Sequence, residues 1–340
     1  MPRSEKYGPA EVVVITGATA GVGRATARRF ARTGARLVLI ARDPAALEET
    51  LSEIEDLGSE AIAIAADVAD AAALFAAADE AVERFGGIDI WINNAMATVF
   101  SPVAKITPEE FRRVTEVTYL GFVPGTMAAL RHMSARNRGT ILQVGSALAY
   151  RGIPLQAAYC GAKHAIRGFT DSLRTELIHD GSAVHLVMAH LPAVNTPQFD
   201  WARTHMDHEP RPVPPVVQPE VIAAEIHKAA HGRRRELWIG KSTIEVILGN
   251  ALAPWFVDRY LARNAYEGQA TDRPVVPERP DNLFGPVTAL HRTRGSFGAE
   301  ASGSAIAVSE RGSRTTAAVA AIGLGLAAGM LLQGAISRRS

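Results

Sequence analysis

Residues 12–23 read Val-Val-Val-Ile-Thr-Gly-Ala-Thr-Ala-Gly-Val-Gly, and this stretch decides the fold. Four apolar residues in a row are typical of a strand that is buried on both faces. Glycines follow at positions 17, 21 and 23, ahead of a segment with helical spacing. Glycines at a strand-to-helix turn let the backbone approach a pyrophosphate, whose charge lies at the helix N-terminus. Because a second strand comes next, the pattern predicts a dinucleotide-binding unit rather than an ordinary turn.

Short apolar runs continue to alternate with helix-like segments as far as about residue 240. Seven runs are expected to be strands: 11–16, 36–41, 61–65, 88–92, 140–144, 184–188 and 236–239. Alternation on this scale predicts an α/β fold, a Rossmann-type doubly wound parallel sheet with right-handed crossovers. We expect it to form one domain over residues 8–266.

The overall composition excludes several classes of protein. The 340 residues carry a net charge of +1, so no electrostatic field favours a nucleic-acid partner. A single cysteine, Cys160, excludes an internal disulfide, and the histidines show no metal-ligand spacing, so no metal is expected. The polar amino terminus lacks the apolar run of a signal peptide. We therefore expect a cytoplasmic protein.

Four motifs in register resemble those of the short-chain dehydrogenase/reductase family. They are Thr-Gly-x-x-x-Gly-x-Gly at 16–23, Asn-Asn-Ala at 93–95, Tyr-x-x-x-Lys at 159–163 and a serine at 146. The resemblance covers about residues 8–245. It implies an oxidoreductase that moves a hydride between a nicotinamide and a carbonyl or alcohol, and we expect a medium-sized, largely apolar small-molecule substrate. We also expect a homodimer or a homotetramer.

The chemistry explains why Ser146, Tyr159 and Lys163 belong together. Hydride transfer to a carbonyl leaves an alkoxide that must be protonated, and oxidation of an alcohol needs the reverse. A free tyrosine has a pKa near 10, and a nearby ammonium such as that of Lys163 would lower it. Ser146 would donate a hydrogen bond to the substrate oxygen, where charge develops.

The resemblance also assigns the residues that contact the cofactor. They lie in the glycine loop, at strand ends, in the Tyr-Lys pair and in the segment after the sixth strand: Gly17, Thr19, Ala20, Gly21, Val22, Gly23, Arg42, Asp67, Val68, Asn94, Ala95, Tyr159, Lys163, Pro192, Val194 and Thr196.

The end of the second strand bears on the choice between NAD and NADP. Ala41 stands where NAD enzymes usually place a carboxylate for the ribose hydroxyls, and Arg42 follows it. A guanidinium suits the 2′-phosphate, which favours NADP. The alternative is that Arg42 is a solvated surface residue and that Asp43 binds the ribose.

Three positions depart from the family pattern. Met96 and Ala193 replace glycines, and Thr118 stands where the family has an asparagine that holds a water of a proton relay. With only one hydroxyl, Thr118 would hold that water less firmly. These departures leave open a non-catalytic dinucleotide-binding sensor or scaffold, since a fold alone does not fix function.

Three further segments depart from the alternating pattern. Residues 198–218 are expected to form a substrate lid or a disordered loop. Residues 267–314 are rich in Pro, Gly, Ser and Arg and are expected to form a disordered tether. Residues 315–336 are apolar and flanked by arginines, so they are either a membrane anchor or a low-complexity tail.

Overall fold

The structure, a computed structural model, describes residues 10–309. Its strands are, in chain order, β1 (Val12–Thr16), β2 (Arg36–Ala41), β3 (Ala61–Ala65), β4 (Ile90–Asn93), β5 (Val99–Phe100), β6 (Thr140–Ser146), β7 (His185–Leu191), β8 (Ala193–Val194), β9 (Arg203–Thr204), β10 (His208–Pro210), β11 (Val216–Val217), β12 (Glu236–Ile239), β13 (Ala270–Pro274), β14 (Ala301–Ser302) and β15 (Ala307–Ser309).

Eight of these strands form the central sheet, in the order β15-β12-β7-β6-β4-β1-β2-β3. Seven of them are parallel, and they are the seven strands that the apolar runs predict. The strand order reverses beside β1, which has β2 on one side and β4 on the other. In doubly wound sheets a ligand binds at the carboxyl ends of the strands at such a point.

Ten α-helices lie among the described residues. They are α1 (Gly21–Ala31), α2 (Pro44–Asp56), α3 (Ala71–Phe85), α4 (Pro108–Thr115), α5 (Phe122–Arg136), α6 (Ala157–His179), α7 (Gln198–Trp201), α8 (Pro219–Ala230), α9 (Lys241–Leu252) and α10 (Pro254–Asn264). A π-helical turn, Glu116–Leu120, joins α4 to α5.

Two hydrophobic cores sandwich the sheet, because successive side chains of a strand point to opposite faces. Val13 and Ile15 lie in the core that includes residues of α1, α2 and α8. Val14, between them, lies in the core that includes residues of α3, α5 and α6. Helices therefore cover both faces, which explains why the parallel strands are almost continuously apolar.

The prediction of a disordered tether is wrong for the described part of residues 267–314. There, β13 pairs with β10, β14 pairs with β11, and β15 joins the central sheet antiparallel to β12. The composition reflects only the lack of a local hydrophobic period. Pairing with distant strands stabilises this segment, and no local pattern predicts such pairing.

The lid at 198–218 is also ordered and carries α7, β9, β10 and β11. The predicted anchor, residues 315–336, lies outside the described residues. Within 10–309, none of the helices is long and apolar enough to cross a membrane.

Candidate active site

The loop between β1 and α1 can be built only with glycine at its critical positions. Gly17 has a φ of +67°, a conformation that side chains with a Cβ rarely adopt. A Cβ at Gly23 would lie 2.0 Å from the carbonyl oxygen of Gly17. The backbone is therefore packed against itself at the N-terminus of α1, as the cradle for a pyrophosphate requires. These residues fit a dinucleotide.

The end of β4 is fastened to this loop. The Asn94 side chain donates to the carbonyl oxygens of Thr16, at 2.9 Å, and Gly17, at 3.2 Å. The Thr16 hydroxyl accepts from the backbone N–H groups of Asn94, at 2.9 Å, and Ala95, at 3.1 Å. Asn94 thus shapes the cradle that the sequence assigns to the cofactor.

Several predicted cofactor positions border the same groove. A Cβ at Gly21 would lie 3.0 Å from Thr196 Cγ2, so the segment after β7 reaches the glycine loop. Thr19 and Val68 are buried, and Ala20 is the residue that precedes α1. Val22 packs against the core below the loop, whereas Pro192 contacts Gly240 and Val194 pairs with Val217.

Ser146, Tyr159 and Lys163 come together at the carboxyl end of β6. Ser146 is the last residue of β6, and its side chain hydrogen-bonds with that of Tyr159. Tyr159 and Lys163 lie one turn apart near the start of α6. The Lys163 Nζ atom is 5.5 Å from the centre of the Tyr159 ring and donates to the carbonyl oxygen of Val144 at 2.7 Å.

Burial controls the protonation of the tyrosine and the lysine. Lys163 is only 1% exposed, and desolvation lowers its pKa to about 7. Desolvation raises the pKa of Tyr159 well above its usual value of 10, and the hydrogen bond from Ser146 opposes this rise. Both shifts favour the uncharged forms, so Lys163 changes its protonation state near neutral pH.

The hydroxyl of Thr118 uses its one donor and one of its two acceptor lone pairs on the same residue, Ala97. It lies in the π-helical turn, donates to the carbonyl oxygen of Ala97 at 2.8 Å, and accepts from the N–H of the same residue at 2.9 Å. The side chain therefore fixes the strand-end segment that follows Asn94. The expectation that Thr118 would hold a relay water less firmly than an asparagine stays a prediction.

Arg42 and Asp43 make different contacts. Asp43 is 3% exposed and caps α2, where its side chain accepts from the N–H of Ala45 at 3.0 Å. Arg42 donates to the carbonyl oxygen of Asn282 at 2.6 Å. Asp67 forms an ion pair with Arg113. Arg42 thus bonds to the main chain at residue 282, whereas Asp43 Oδ1 caps the helix and Asp43 Oδ2 lies 3.2 Å from His291 Nε2.

Sequence reasoning missed two groups of residues at the site. The first is the carboxyl-terminal segment 281–297, here called the strap, whose Arg292 carbonyl accepts from the N–H of Gly21 at 3.0 Å. The second is the buried pair of His190 and Glu236, whose nearest side-chain atoms lie 3.5 Å apart. His190 Nδ1 lies 3.1 Å from the carbonyl oxygen of Ser146. Neither group has a local sequence signal, because its partners are distant in the chain.

One group of described residues has ligand atoms close enough to hold a metal ion, although the sequence predicts no metal. Ligand atoms of Glu11, His227 and His231 lie within 4.8 Å of one another. His227 lies on α8 and His231, four residues later, is the C-cap of that helix, a spacing that could have been recognised. Glu11 precedes β1, so the group lies at the opposite edge of the sheet from the glycine loop.

Comparisons with known proteins agree with this geometry. Residues 11–206 match the family model for short chain dehydrogenases. An uncharacterized oxidoreductase of Bacillus subtilis, YxnA, is 33% identical over 283 residues, which cover 83% of this chain and 80% of that protein. Dehydrogenase/reductase SDR family member 7B of Rattus norvegicus is 38% identical over 181 residues, which cover 52% of this chain and 56% of that relative.

Two solved structures share the fold. An alcohol dehydrogenase from the archaeon Thermococcus sibiricus, complexed with 5-hydroxy-NADP, superposes with a TM-score of 0.59 at 28% identity. The match covers 67% of this chain and 95% of that one. A short-chain dehydrogenase from Streptomyces avermitilis has a TM-score of 0.63 at 23% identity and covers 76% and 99% of the two chains. The second likeness concerns the fold alone.

Proposed function

Because the chain belongs to the short-chain dehydrogenase/reductase family, we propose that it is an NADP(H)-dependent oxidoreductase acting on carbonyls or alcohols. The observation that carries this proposal is the meeting of Ser146, Tyr159 and Lys163 at the carboxyl end of β6. This edge of the sheet also holds the glycine loop. The acid Tyr159, the hydrogen-bond donor Ser146 and the amino group of Lys163 therefore border the groove that would hold the cofactor.

Each side chain has one role in the proposed reaction. The bound dinucleotide supplies or accepts the hydride. Tyr159 donates its phenolic proton to the alkoxide in reduction and removes the alcohol proton in oxidation. Ser146 donates a hydrogen bond to the reacting oxygen. The pKa of Lys163 is about 7, and when Lys163 is protonated its ammonium stabilises the phenolate of Tyr159.

The contacts of Arg42 and Asp43 support the preference for NADP. One carboxylate oxygen of Asp43, Oδ1, caps α2, and the other, Oδ2, lies 3.2 Å from His291 Nε2, so both oxygens face groups other than a ribose in this structure. Arg42 presents its guanidinium to main-chain carbonyl oxygens, the type of acceptor that a 2′-phosphate would replace. The alcohol dehydrogenase of Thermococcus sibiricus is complexed with an NADP derivative, which agrees with this choice.

We propose an apolar substrate, because aromatic side chains line the lid. The ring of Phe199 lies 5.9 Å from that of Phe100 and 6.1 Å from that of Phe297, measured between centroids. Trp201 is buried beside them on α7. Such rings bind a hydrocarbon surface more favourably than a charged substrate.

Assembly into a homodimer or a homotetramer is also proposed. Helix α10 has no buried residue and exposes Trp255, Phe256 and Tyr260. A second copy of the chain could cover this apolar face, since large exposed aromatic patches usually mark an interface. Light scattering of the full chain and of Trp255→Asp would measure the assembly. Equal masses for the full chain and Trp255→Asp would argue against assembly through this face of α10.

The enzymatic proposal is tested by NADPH oxidation with a panel of carbonyl compounds. We predict that Tyr159→Phe lowers turnover by about 10²-fold or more, because the transferable proton is lost while the ring is kept. Binding of NADPH should change little. Tyr266→Phe is the matched control, because Tyr266 is exposed and lies outside α10, the helix proposed for assembly. No oxidation with any carbonyl would favour a sensor, and a fully active Tyr159→Phe would exclude Tyr159 as the acid.

A further inference from the structure

The strap, residues 281–297, follows the whole groove that the proposed function gives to the dinucleotide. Leu283 lies at the end formed by Ala66 and Val68, after β3. The carbonyl of Arg292 meets the N-terminus of α1 at Gly21. The strap therefore contacts both the proposed adenine end and the proposed pyrophosphate site.

At the adenine end, the strap takes both the apolar surface and the cations. The Leu283 side chain is fully buried in the cluster that includes Val68 and Val117. Its carbonyl oxygen accepts from Arg113 Nε at 3.1 Å, and that of Asn282 accepts from Arg42 at 2.6 Å. The Leu283 side chain thus fills the proposed cleft for the adenine base. Two strap carbonyl oxygens accept hydrogen bonds from Arg42 and Arg113, so these guanidinium groups are already bonded.

At the pyrophosphate site, the strap replaces a phosphate oxygen with a carbonyl oxygen. Helix α1 begins without a side-chain cap, so the N–H groups of its first turn need an external acceptor. The Arg292 carbonyl provides one to Gly21 at 3.0 Å. The carbonyl of His291 accepts from the buried Arg24 at 2.9 Å.

At the nicotinamide end, the strap lies directly on the segment that follows β7. The N–H of Gly295 donates to the carbonyl oxygen of Asn195 at 3.2 Å, and that of Phe297 donates to the Asn195 side chain at 3.0 Å. A Cβ at Gly295 would lie 2.4 Å from the Thr196 carbonyl oxygen. The contact is so close that no ligand atom fits between them.

We propose that the strap is a built-in competitor of NADP(H), so that the cofactor binds only after the strap has left the groove. This inference rests on the proposed function. One N–H group and one guanidinium cannot serve the strap carbonyls and the cofactor phosphates together. The apparent affinity for the cofactor is then the intrinsic affinity reduced by the fraction of molecules whose groove is open.

Displacement of the strap also affects the lid. Asp281 forms an ion pair with Arg203 at 2.9 Å, and Arg292 forms one with Asp200 at 2.7 Å. Two ion pairs therefore join the strap to the lid. When the cofactor removes the strap, the lid loses these partners.

Hydrogen exchange of the unmodified full chain tests the proposal without any substitution. Amide exchange is measured over residues 281–297 with and without saturating NADPH, and binding is confirmed by nicotinamide fluorescence. We expect exchange over 281–297 to accelerate when NADPH binds. Bound NADPH with unchanged or slower exchange in this segment would overturn the proposal, because the strap would then remain in place or close over the cofactor.

A matched pair of glycine substitutions gives the second test. Gly295→Ala should push the strap from Thr196, whereas Gly298→Ala adds a methyl that reaches only ordinary contact, 3.8 Å from the Asn195 side chain. We expect Gly295→Ala to tighten NADPH binding by about tenfold and Gly298→Ala to leave it unchanged, if about one molecule in ten is open. Unchanged or weaker binding by Gly295→Ala would contradict the proposal.

A third pair separates failure of this inference from failure of the proposed function. Leu283→Ser removes the apolar contact of the strap at the adenine end, and Val276→Ser is the control at a 53% exposed position. We expect tighter NADPH binding by the first variant only. If neither NADPH nor NADH binds any of these proteins, the proposed cofactor dependence is wrong and the inference falls with it. If NADPH binds all of them equally, only the strap proposal is wrong.

Discussion

At the scale of single residues, the groups that carry chemistry sit where strands end, and short motifs predict them for that reason. Ser146 closes β6, and Asn94 directly follows β4. Lys163 is one turn after Tyr159, as four-residue spacing on a helix requires. What the sequence could not provide is the partner of each group. Arg42 contacts Asn282, 240 positions later, and no pattern connects the two.

Arg42 is predicted to set the preference between the two cofactors. The unmodified chain should bind NADPH about ten- to a hundredfold more tightly than NADH, since one charged contact contributes roughly 1.5–3 kcal/mol. Arg42→Ala should erase most of this difference. Because Arg42 also holds the strap, we expect the variant to bind NADH more tightly than the unmodified chain does. Dissociation constants for both cofactors give the ratio.

Arg131→Ala is the control for that measurement, because Arg131 is an exposed residue of α5 paired with Asp79. It should leave both constants unchanged. Equal affinities for NADPH and NADH in the unmodified chain would remove the role given to Arg42.

Lys163 predicts how stability depends on pH. Burial lowers its pKa from 10.5 to about 7, so between these values the unfolded chain holds a proton that the folded chain has released. The free energy of unfolding must therefore rise with pH across this window. We expect the contribution of Lys163 to rise by about 2 kcal/mol from pH 7 to pH 9, since each unit corresponds to about 1.4 kcal/mol.

The measurement is urea unfolding at several pH values, with Lys163→Met as the reference that lacks the titrating group. The difference between the two proteins isolates Lys163 from all other ionisable groups. A difference that stays constant, or that reverses sign with pH, would show that the ammonium is not desolvated in the folded chain.

At the scale of elements, the parallel strands were predictable and the junctions between helices were not. Seven strands follow from apolar runs because both faces of each are covered. The π-helical turn at Glu116–Leu120 has no such signal, since its extra residue is fixed by contacts with another loop. β15 is only three residues long, and pairing with β12 creates it.

Thr118 is predicted to be essential to the junction of α4 and α5. Thr118→Ala would leave the buried N–H and carbonyl of Ala97 without their partner, at a cost of about 1–3 kcal/mol. Thr118→Ser keeps the hydroxyl and should restore most of the stability. Thermal and urea unfolding measure the effect, and steady-state turnover shows whether the site is displaced.

The matched control is Thr115→Ala, three residues earlier, where the exposed hydroxyl bonds only to its own helix at Phe111. Thr115→Ala should lower the free energy of unfolding much less than Thr118→Ala does. Equal losses at the two positions would mean that the link to Ala97 contributes nothing beyond helix propensity.

At the scale of the whole molecule, the carboxyl-terminal third completes the domain. β15 covers one edge of the central sheet, and the strap lies against the cofactor loop. An edge strand left open would invite pairing with other chains. The composition predicted a tether here because the segment has no local hydrophobic period. Composition carries no information about pairing with distant strands, which is what orders this segment.

This correction changes what the apolar segment 315–336 would do if it anchors the chain to a membrane. The last described strand ends at Ser309, and residues 310–314 lie between it and that segment in the sequence. Five extended residues span at most about 18 Å. The catalytic domain would then lie against the bilayer surface, where apolar carbonyl compounds accumulate, instead of moving freely on a long tether.

Fractionation of two proteins tests this last prediction. The full chain should stay with membranes after high-salt and carbonate washes, whereas a chain that ends at Arg314 should be released. Because the shorter chain keeps β15, its NADPH oxidation should be unchanged. Leu326→Arg in the full chain is the control for hydrophobicity, since a central arginine costs roughly 2.5–3.5 kcal/mol of insertion, and it should also be released. If the full chain is washed off as readily as the shorter one, residues 315–336 do not anchor it, and the enzyme assignment stands unaffected.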